Sequence, residues 1–319
     1  MAYRIFLPQV ARTIEALPGE TILAAALREG LAYAHGCQRG RCGSCKSRLL
    51  QGKVDMMAHS PFALEAPERH EGLVLACRAV PTSDVTVYWP NAVGALPPML
   101  PIDAVVVARH EIAPQIQRLL VRPTQPLSFL PGQYVNITLP GGVTRSFSPA
   151  SQPMAQDVEF HVRVVDGGQA SSLVGRLSIG DRIQLAGPFG DAFFRGDKDR
   201  PLLALAASTG QAPIKSIVDR LLASGDQRAV RVFAFARAIQ HLYLDRYFAE
   251  LAARHSNLGY RSIVTRAMTE DATPRTLIAS CISQLHNWSV HIAGPAGFVT
   301  SMSEMVRELR CDDIFADKF

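Results

Sequence analysis

The chain has 319 residues, of which 48% are hydrophobic and 19% charged, a composition typical of packed domains rather than of a disordered chain. This length suggests two or three domains of about 100–200 residues each. The formal net charge is +5, but the basic residues are scattered without a Lys/Arg block, which argues against nucleic-acid binding. No apolar run reaches ~18 residues and no secretory signal is visible, so we expect a cytoplasmic protein without membrane attachment.

The first domain is predicted over residues 1–92 as a small α+β unit. Its predicted elements are strands over 3–7 and 12–16 joined as a hairpin, a helix over 22–29 after Thr21, and strands over 47–50 and 84–89. A loop rich in glycine and cysteine separates the helix from the strand that follows it.

The cysteines of this domain follow a recognisable ligand spacing. Cys37, Cys42 and Cys45 form a C-x4-C-x2-C run, and Cys77 follows after a long gap. A plant-type [2Fe-2S] cluster has this arrangement, in which a tight loop supplies three thiolates and a distant segment the fourth. With the order of elements, the four cysteines resemble the plant-type ferredoxin fold, which implies a β-grasp domain. Gly36, Gly40 and Gly43 would let the backbone take positive φ angles close to the sulfur atoms.

Two other interpretations of the cysteines stay open at this stage. A structural zinc site usually pairs two short hooks, whereas only Cys42 and Cys45 form one here. Free or disulfide-bonded thiols are the other alternative. Of the 6 cysteines, Cys281 and Cys311 are left over, and we expect both to be buried thiols.

A second domain is predicted over residues 100–198, after a proline-rich linker at 91–101. Its strands are predicted over 102–108, 115–122, 134–139, 158–165 and 182–185. Several short strands separated by glycine-containing turns are typical of an antiparallel β-barrel or sandwich.

Residues 145–148 are Arg-Ser-Phe-Ser. One further motif precedes them, at 131–134, and three follow, at 161–164, 168–171 and 187–190. This ordered set resembles the flavin domain of the ferredoxin–NADP⁺ reductase superfamily, in which the central motif is R-x-[YF]-S. The resemblance implies that Arg145 pairs with a phosphate, that Phe147 stacks on the flavin ring, and that Ser148 acts in catalysis by donating a hydrogen bond to flavin N5.

The same resemblance implies further cofactor contacts. Ser171 would hold the pyrophosphate at the start of a short helix. The other residues that it places at the cofactor are Ser146, His161, Arg163 and Gly168. It implies FAD, with FMN as the alternative, because the family's FMN-binding branch carries its ferredoxin domain at the C-terminus.

The third domain is predicted over residues 199–319 as a doubly wound sheet of parallel strands, because strands and helices alternate. The predicted strands cover 202–207, 230–236, 260–265 and 290–293, and the predicted helices cover 214–223, 245–255, 276–285 and 298–309.

Two turns of this domain are expected to bind NADH, with NADPH as the alternative. Thr209, Gly210 and Pro213 follow a strand and open a helix, which is where dinucleotide phosphates are held. This turn resembles the family's G-G-T-G-x-A-P turn, with Ala207 and Ser208 in place of the first two glycines.

The second turn contains Gly294 and Pro295 and resembles the family's C-G-P-x-x-[MF] turn, with Ala293 in place of the cysteine. Arg237, after the second strand, would reach a 2′-phosphate or face solvent. The C-terminal residues 315–319 are expected to be either a solvated tail or a segment that covers the flavin, in which case Phe319 would stack on it and take part in catalysis.

The whole chain resembles the reductase component of multicomponent bacterial (Rieske-type) oxygenases. The resemblance implies that electrons pass from NAD(P)H through FAD and the [2Fe-2S] cluster to an oxygenase partner, and the chain is expected to be monomeric on its own. The alternatives are a reductase for a diiron monooxygenase or a deoxysugar dehydrase, or a non-enzymatic iron–sulfur carrier.

Overall fold

The structure is a computed structural model. It describes the chain apart from residues 1, 32, 34, 36, 37, 39, 41, 42, 44, 62, 90–100, 166–168, 191, 195–199, 268–272, 283 and 312 and the side chains of 169 and 170. Backbone contacts divide the chain into two compact units, Met1–Pro98 with Phe189–Asp191 and Met99–Pro188 with Ala192–Phe319. No helix among the described residues is long and apolar enough to cross a membrane.

Among its described residues, the first unit has seven strands and two short α-helices. They are β1 (Tyr3–Leu7), β2 (Arg12–Ala16), α1 (Ile22–Arg28), β3 (Lys46–Gln51), β4 (Val54–Met56), α2 (Ala66–His70), β5 (Leu73–Leu75), β6 (Ala79–Pro81) and β7 (Val85–Tyr88). Five strands form a mixed sheet in the order β2-β1-β7-β3-β5, and β4 pairs with β6. The Thr21 hydroxyl caps α1 by accepting from the Ala24 N–H at 3.2 Å, as expected of an N-cap threonine.

The predicted hairpin of β1 and β2 is confirmed by their antiparallel pairing. The sequence did not reveal β4, α2, β5 or β6, which have three to five residues each. Elements this short do not complete a hydrophobic period, so their existence depends on pairing with neighbours.

The second unit begins with an antiparallel sheet. Its elements are β8 (Ile102–Ala113), β9 (Ile116–Pro123), β10 (Tyr134–Thr138), β11 (Thr144–Phe147), β12 (Val158–Arg163), α3 (Gln169–Val174) and β13 (Arg182–Phe189). The strand order is β11-β10-β13-β8-β9-β12. A bridge between Pro149, just after β11, and Phe160 of β12 brings the two edge strands together, as in the predicted barrel.

The remainder of this unit is a five-stranded parallel sheet with helices. Its elements are β14 (Leu202–Ala207), α4 (Gln211–Ala223), β15 (Val230–Ala236), α5 (Asp245–Arg254), β16 (Leu258–Val264), α6 (Pro274–Ala279), β17 (Ser289–Gly294), α7 (Ala296–Glu308) and β18 (Asp313–Lys318). Alternate residues of β14 pack into two different cores: Leu202 and Ala204 with α4 and α5, and Leu203 and Leu205 with α6 and α7. Both faces of the sheet are therefore covered, which is why β14 is apolar throughout.

Three predictions for this sheet need correction. The C-terminal residues are not a solvated tail but the edge strand β18, which pairs in parallel with β17. Helix α6 ends at Ala279 rather than at 285. Cys281 is exposed, whereas Cys311 is buried as expected.

The strand order β16-β15-β14-β17-β18 places a reversal of winding between β14 and β17. In open parallel sheets, ligands bind beyond the carboxyl ends of the strands at such a switch point. The turns that follow β14 and β17 are the two that the sequence predicts to bind a dinucleotide.

Candidate functional site

The first part of the site is the pair Cys45 and Cys77. Lys46 of β3 pairs with Leu75 of β5, so the residues that flank these strands come together. The Cys77 N–H donates to Cys45 Sγ at 3.5 Å, and both cysteines are buried. A backbone N–H directed at a ligand sulfur is the contact that stabilises an anionic iron–sulfur cluster.

Two described glycines, Gly40 and Gly43, lie close in sequence to the other predicted ligands. Gly40 and Gly43 have φ angles of 69° and 78°, which a residue with a side chain rarely adopts. A Cβ atom at Gly40 would lie 2.8 Å from side-chain carbons of His59 and Arg78. The described cysteines and glycines fit a cluster, while the predicted ligands Cys37 and Cys42 lie outside the described residues.

The predicted flavin motif lies on β11, an edge strand of the antiparallel sheet. Arg145 is exposed and donates to the Thr144 carbonyl at 2.7 Å, so an anion can reach its guanidinium. Ser146 donates to Asn136 Oδ1 at 2.7 Å. Phe147 is half-buried against the core of the sheet. An open edge strand with an accessible arginine and a partly exposed ring is suited to bind a flavin nucleotide.

Ser148 connects this motif to the C-terminal strand. Its hydroxyl donates to Asp317 Oδ2 at 3.0 Å. Asp317 lies opposite Ala293 in the register of β18 and β17. Sequence reasoning did not single out Asp317, although an acidic residue near the C-terminus was the available signal.

The two predicted dinucleotide turns pack against each other at the switch point. A Cβ atom at Gly210 would lie 2.1 Å from the Ala293 carbonyl oxygen, and one at Gly294 would lie 2.9 Å from the Ala207 carbonyl oxygen. Only glycines allow the two main chains to approach this closely. Ser208, in place of a family glycine, takes a left-handed φ of 54°. The turn thus keeps a conformation that glycine adopts without strain.

The other residues predicted for these turns differ in accessibility. Thr209 and Pro295 are half-buried, and Pro213 is buried in the first turn of α4. Helix α4 begins at Gln211, three residues earlier than predicted, after a 3₁₀ turn over Ser208–Gly210. Arg237 is exposed just beyond β15. Phe319 is 54% exposed, and its N–H donates to the Gly294 carbonyl at 3.2 Å, which holds the C-terminus beside the second turn.

His161, which the resemblance predicts to lie at the cofactor, is buried among protein groups. Its side chain is 1% exposed. Its ring nitrogens lie 2.7 Å from Glu159 Oε1 and 3.1 Å from the Tyr243 hydroxyl. Burial lowers the pKa of His161, so the ring is neutral near pH 7.

The remaining predicted contacts surround the end of β12. Arg163 is exposed there. Ser171 lies in α3, and its hydroxyl accepts from the Val165 N–H at 3.1 Å and donates to the Val165 carbonyl at 3.3 Å. Gly168 lies outside the described residues.

These features define a class of protein: an oxidoreductase with an iron–sulfur domain, a flavin domain and a nicotinamide-dinucleotide domain. Two family models match the chain, a 2Fe-2S iron-sulfur cluster binding domain at residues 5–82 and an oxidoreductase FAD-binding domain at residues 103–194.

Known proteins are similar over most of the chain. The reductase component of phenol 2-monooxygenase from Pseudomonas sp. (strain CF600) is 39% identical, over 84% of this chain and 77% of the relative. The reductase component of the naphthalene 1,2-dioxygenase system from Pseudomonas putida is 30% identical, over 97% of this chain and 96% of the relative. A crystal structure of an Amycolatopsis cytochrome P450 reductase is 30% identical, covers 99% of this chain and 98% of its own, and has a TM-score of 0.79.

The chain belongs to the reductase components of multicomponent oxygenases, within the ferredoxin–NADP⁺ reductase superfamily. Its cofactors are a [2Fe-2S] cluster and FAD, and its substrate is NAD(P)H. The non-enzymatic carrier is therefore set aside, because the family consists of flavin and iron–sulfur oxidoreductases.

Proposed function

We propose that this chain takes electrons from NADH and delivers them to the oxygenase component of an aromatic-hydroxylating system. When bound, FAD and the cluster would supply the hydride-accepting and one-electron chemistry that protein side chains do not. The work of the chain is to hold the reacting groups in place and to tune them.

The observation that carries this proposal is the hydrogen bond from Ser148 to Asp317. It joins the flavin motif on β11 to the strand that borders the second dinucleotide turn. This contact supports our proposal that the Ser148 hydroxyl lies near the position where hydride would pass from the nicotinamide to flavin N5. We assign Arg145 to the flavin phosphate, Phe147 to the flavin ring, and the turns at Gly210 and Gly294 to the nicotinamide dinucleotide.

The proposal also concerns which kind of oxygenase accepts the electrons. The family resemblance of the sequence favours a Rieske-type dioxygenase, and the naphthalene 1,2-dioxygenase relative supports this. Two phenol-oxidising relatives share more identity, 39% and 34%, and favour a monooxygenase of the phenol class. We therefore propose the phenol-type oxygenase as the acceptor and keep the dioxygenase as the second candidate.

Reduction of cytochrome c by NADH tests the order of electron flow. Cys45→Ser should lose iron and cytochrome c reduction but keep flavin reduction by NADH. Cys281→Ser is the matched control because that thiol is exposed and lies in the other unit. Cytochrome c reduction at the wild-type rate by an iron-free Cys45→Ser protein would contradict the proposal.

The acceptor is identified by mixing the purified reductase with the oxygenase component of either system and measuring coupled NADH oxidation and product. We expect coupled turnover with the phenol-type oxygenase. Turnover with the dioxygenase alone would transfer the assignment to the second candidate. Replacing NADH by NADPH in the same assay tests the role of the exposed Arg237, because a 2′-phosphate contact would lower KM for NADPH.

A further inference from the structure

The backbone directly after the flavin motif is held by helix α4. The Lys215 ammonium donates to the Ala150 carbonyl at 3.0 Å, and the Ser216 hydroxyl donates to the Ser151 carbonyl at 2.7 Å. Both donors reach from the parallel-sheet domain to the antiparallel sheet, within one compact unit. Neither residue is part of the motifs that the sequence predicts to bind a cofactor.

Helix α4 begins at the first dinucleotide turn. Gln211 follows the 3₁₀ turn over Ser208–Gly210, and Lys215 lies one helical turn later, about 6 Å along the axis. A single rigid helix therefore connects the dinucleotide turn to a point two residues after Ser148.

The environment of Lys215 directs its ammonium group. Lys215 is 14% exposed, and its Nζ lies 3.1 Å from Asp219 Oδ2 and 5.0 Å from the centre of the Tyr247 ring. Tyr247 also donates a hydrogen bond to Asp219. A charge this covered by protein needs partners, and the Ala150 carbonyl completes the set. Ser216 is fully buried, so its hydroxyl likewise depends on the Ser151 carbonyl.

The same segment is fixed on its other side by β12. The Ala150 N–H donates to the Glu159 carbonyl at 2.7 Å, and the Glu159 N–H donates to Ser151 Oγ at 3.1 Å. The His161 ring extends this set of contacts, with Nε2 at 2.7 Å from Glu159 Oε1 and Nδ1 at 3.1 Å from the Tyr243 hydroxyl. Residues 150–151 thus lie between two elements that restrict their movement.

We propose that Lys215 and Ser216 are positioning residues for hydride transfer: by holding residues 150–151 from α4, they fix the Ser148 hydroxyl relative to the dinucleotide turn at 208–210. The inference deepens the proposed function and rests on its assignment of Ser148 and of that turn. It adds residues that act through the backbone and do not themselves touch the substrate or cofactor.

The physical reason is the steep dependence of hydride transfer on geometry. The reacting atoms must lie at ~3–3.5 Å, and a misplacement of about 1 Å costs up to ~100-fold in rate. Loss of one donor should let residues 150–151 move by a fraction of this distance. Binding of NADH through the turn itself should change little.

The test uses the purified holoenzyme with Ser216→Ala and Lys215→Gln. Anaerobic stopped-flow measurement of flavin reduction by NADH should show a limiting rate lowered about three- to tenfold in each variant, with less than twofold change in the NADH dissociation constant. This assay ends at the flavin, so its outcome does not depend on which oxygenase accepts the electrons.

Two matched controls separate positioning from general perturbation. Ser224→Ala removes a hydroxyl whose hydrogen bond, to the Leu221 carbonyl, stays at the end of α4. Arg246→Gln removes a surface cation paired with Glu250 on α5. Both controls should keep the wild-type limiting rate.

A second readout follows the segment itself. Hydrogen–deuterium exchange of the holoenzyme should be faster over residues 150–152 in Ser216→Ala and Lys215→Gln than in either control, because the tie to α4 is lost. If Lys215→Gln does not fold, Ser216→Ala decides the question. Wild-type limiting rates in the folded variants would overturn the proposal, even with a lower melting temperature, because that pattern indicates a structural role alone. Unchanged exchange over 150–152 would also overturn it, because the contacts would then not hold the segment.

Discussion

Gly210 offers the sharpest test of how the two dinucleotide turns meet. Its φ and ψ angles are −61° and −15°, which alanine adopts without strain, so Gly210→Ala would introduce a steric effect only. The new Cβ atom would lie 2.1 Å from the Ala293 carbonyl oxygen, 2.3 Å from the Ala293 carbonyl carbon and 2.7 Å from the Gly294 nitrogen. All three are backbone atoms of the central sheet and cannot rotate away.

The magnitude follows from the clash. Overpacking of a rigid interior costs about 1–3 kcal/mol or more, and a collision with three backbone atoms belongs at the upper end, at about 3 kcal/mol. For a unit of this size, such a loss corresponds to a melting temperature lower by roughly 6–12 °C. Because the separation of β14 from β17 would also widen the switch point, we expect KM for NADH to rise.

Gly297→Ala is the matched control, since Gly297 lies in the first turn of α7 and a Cβ atom there would have no neighbour within 4 Å. This variant should be neutral or more stable by up to about 1 kcal/mol, because alanine favours helix. Thermal unfolding by circular dichroism and NADH-dependent flavin reduction check both variants. If Gly210→Ala has the same melting temperature as Gly297→Ala and an unchanged KM for NADH, the turns do not pack as described.

Three further predictions concern the flavin motif and its surroundings. Arg145→Ala should weaken flavin retention with little change in melting temperature, because the side chain is exposed; this is checked by the ratio of flavin to protein after purification, and full occupancy would remove its phosphate role. Asp317→Ala deprives Ser148 of its partner and should slow flavin reduction by NADH about tenfold at unchanged flavin content, with a wild-type rate counting against the contact. Burial lowers the folded-state pKa of His161, so below pH ~6.5 the unfolded chain binds more protons than the folded chain. The free energy of unfolding should therefore decrease as the pH is lowered, by up to about 1.4 kcal/mol per pH unit. In urea titrations between roughly pH 7.5 and 5.5, His161→Gln should show a weaker dependence of the unfolding free energy on pH. An equally steep dependence in the variant would refute the assignment of this effect to His161.

Glu159 shows why charge states in this region depend on tertiary contacts. Burial opposes its ionisation, but hydrogen bonds from His161 and Arg118 outweigh burial and lower its pKa to about 2. Sequence alone shows alternating polar residues on β12, which fit a solvated face equally well. Only the packing of β12 against the nucleotide domain makes the His161 and Glu159 pair a buried contact.

The cysteine, flavin and dinucleotide motifs and their order along the chain, by contrast, could be predicted from the sequence. Cysteine spacing predicts a cluster because the number of thiolates and the reach of a tight loop are local properties. The apolar run at β14 predicts a buried parallel strand, because a strand buried on both faces does not alternate apolar and polar residues. The turn after it predicts that a helix follows. The family resemblance of residues 145–148 added the flavin.

What tertiary structure alone decided is which of these parts meet. The segment at β18 is short and polar enough to read as a tail, and it becomes a strand only because β17 offers an unpaired edge. Lys215 and Ser216 look like ordinary helix residues until α4 is seen beside residues 150–151. Local sequence determined the longer elements and the motifs that indicate the cofactors, because both depend on neighbouring residues. The contacts that align the flavin motif with the dinucleotide turns join residues more than sixty positions apart, and only the folded chain could bring them together.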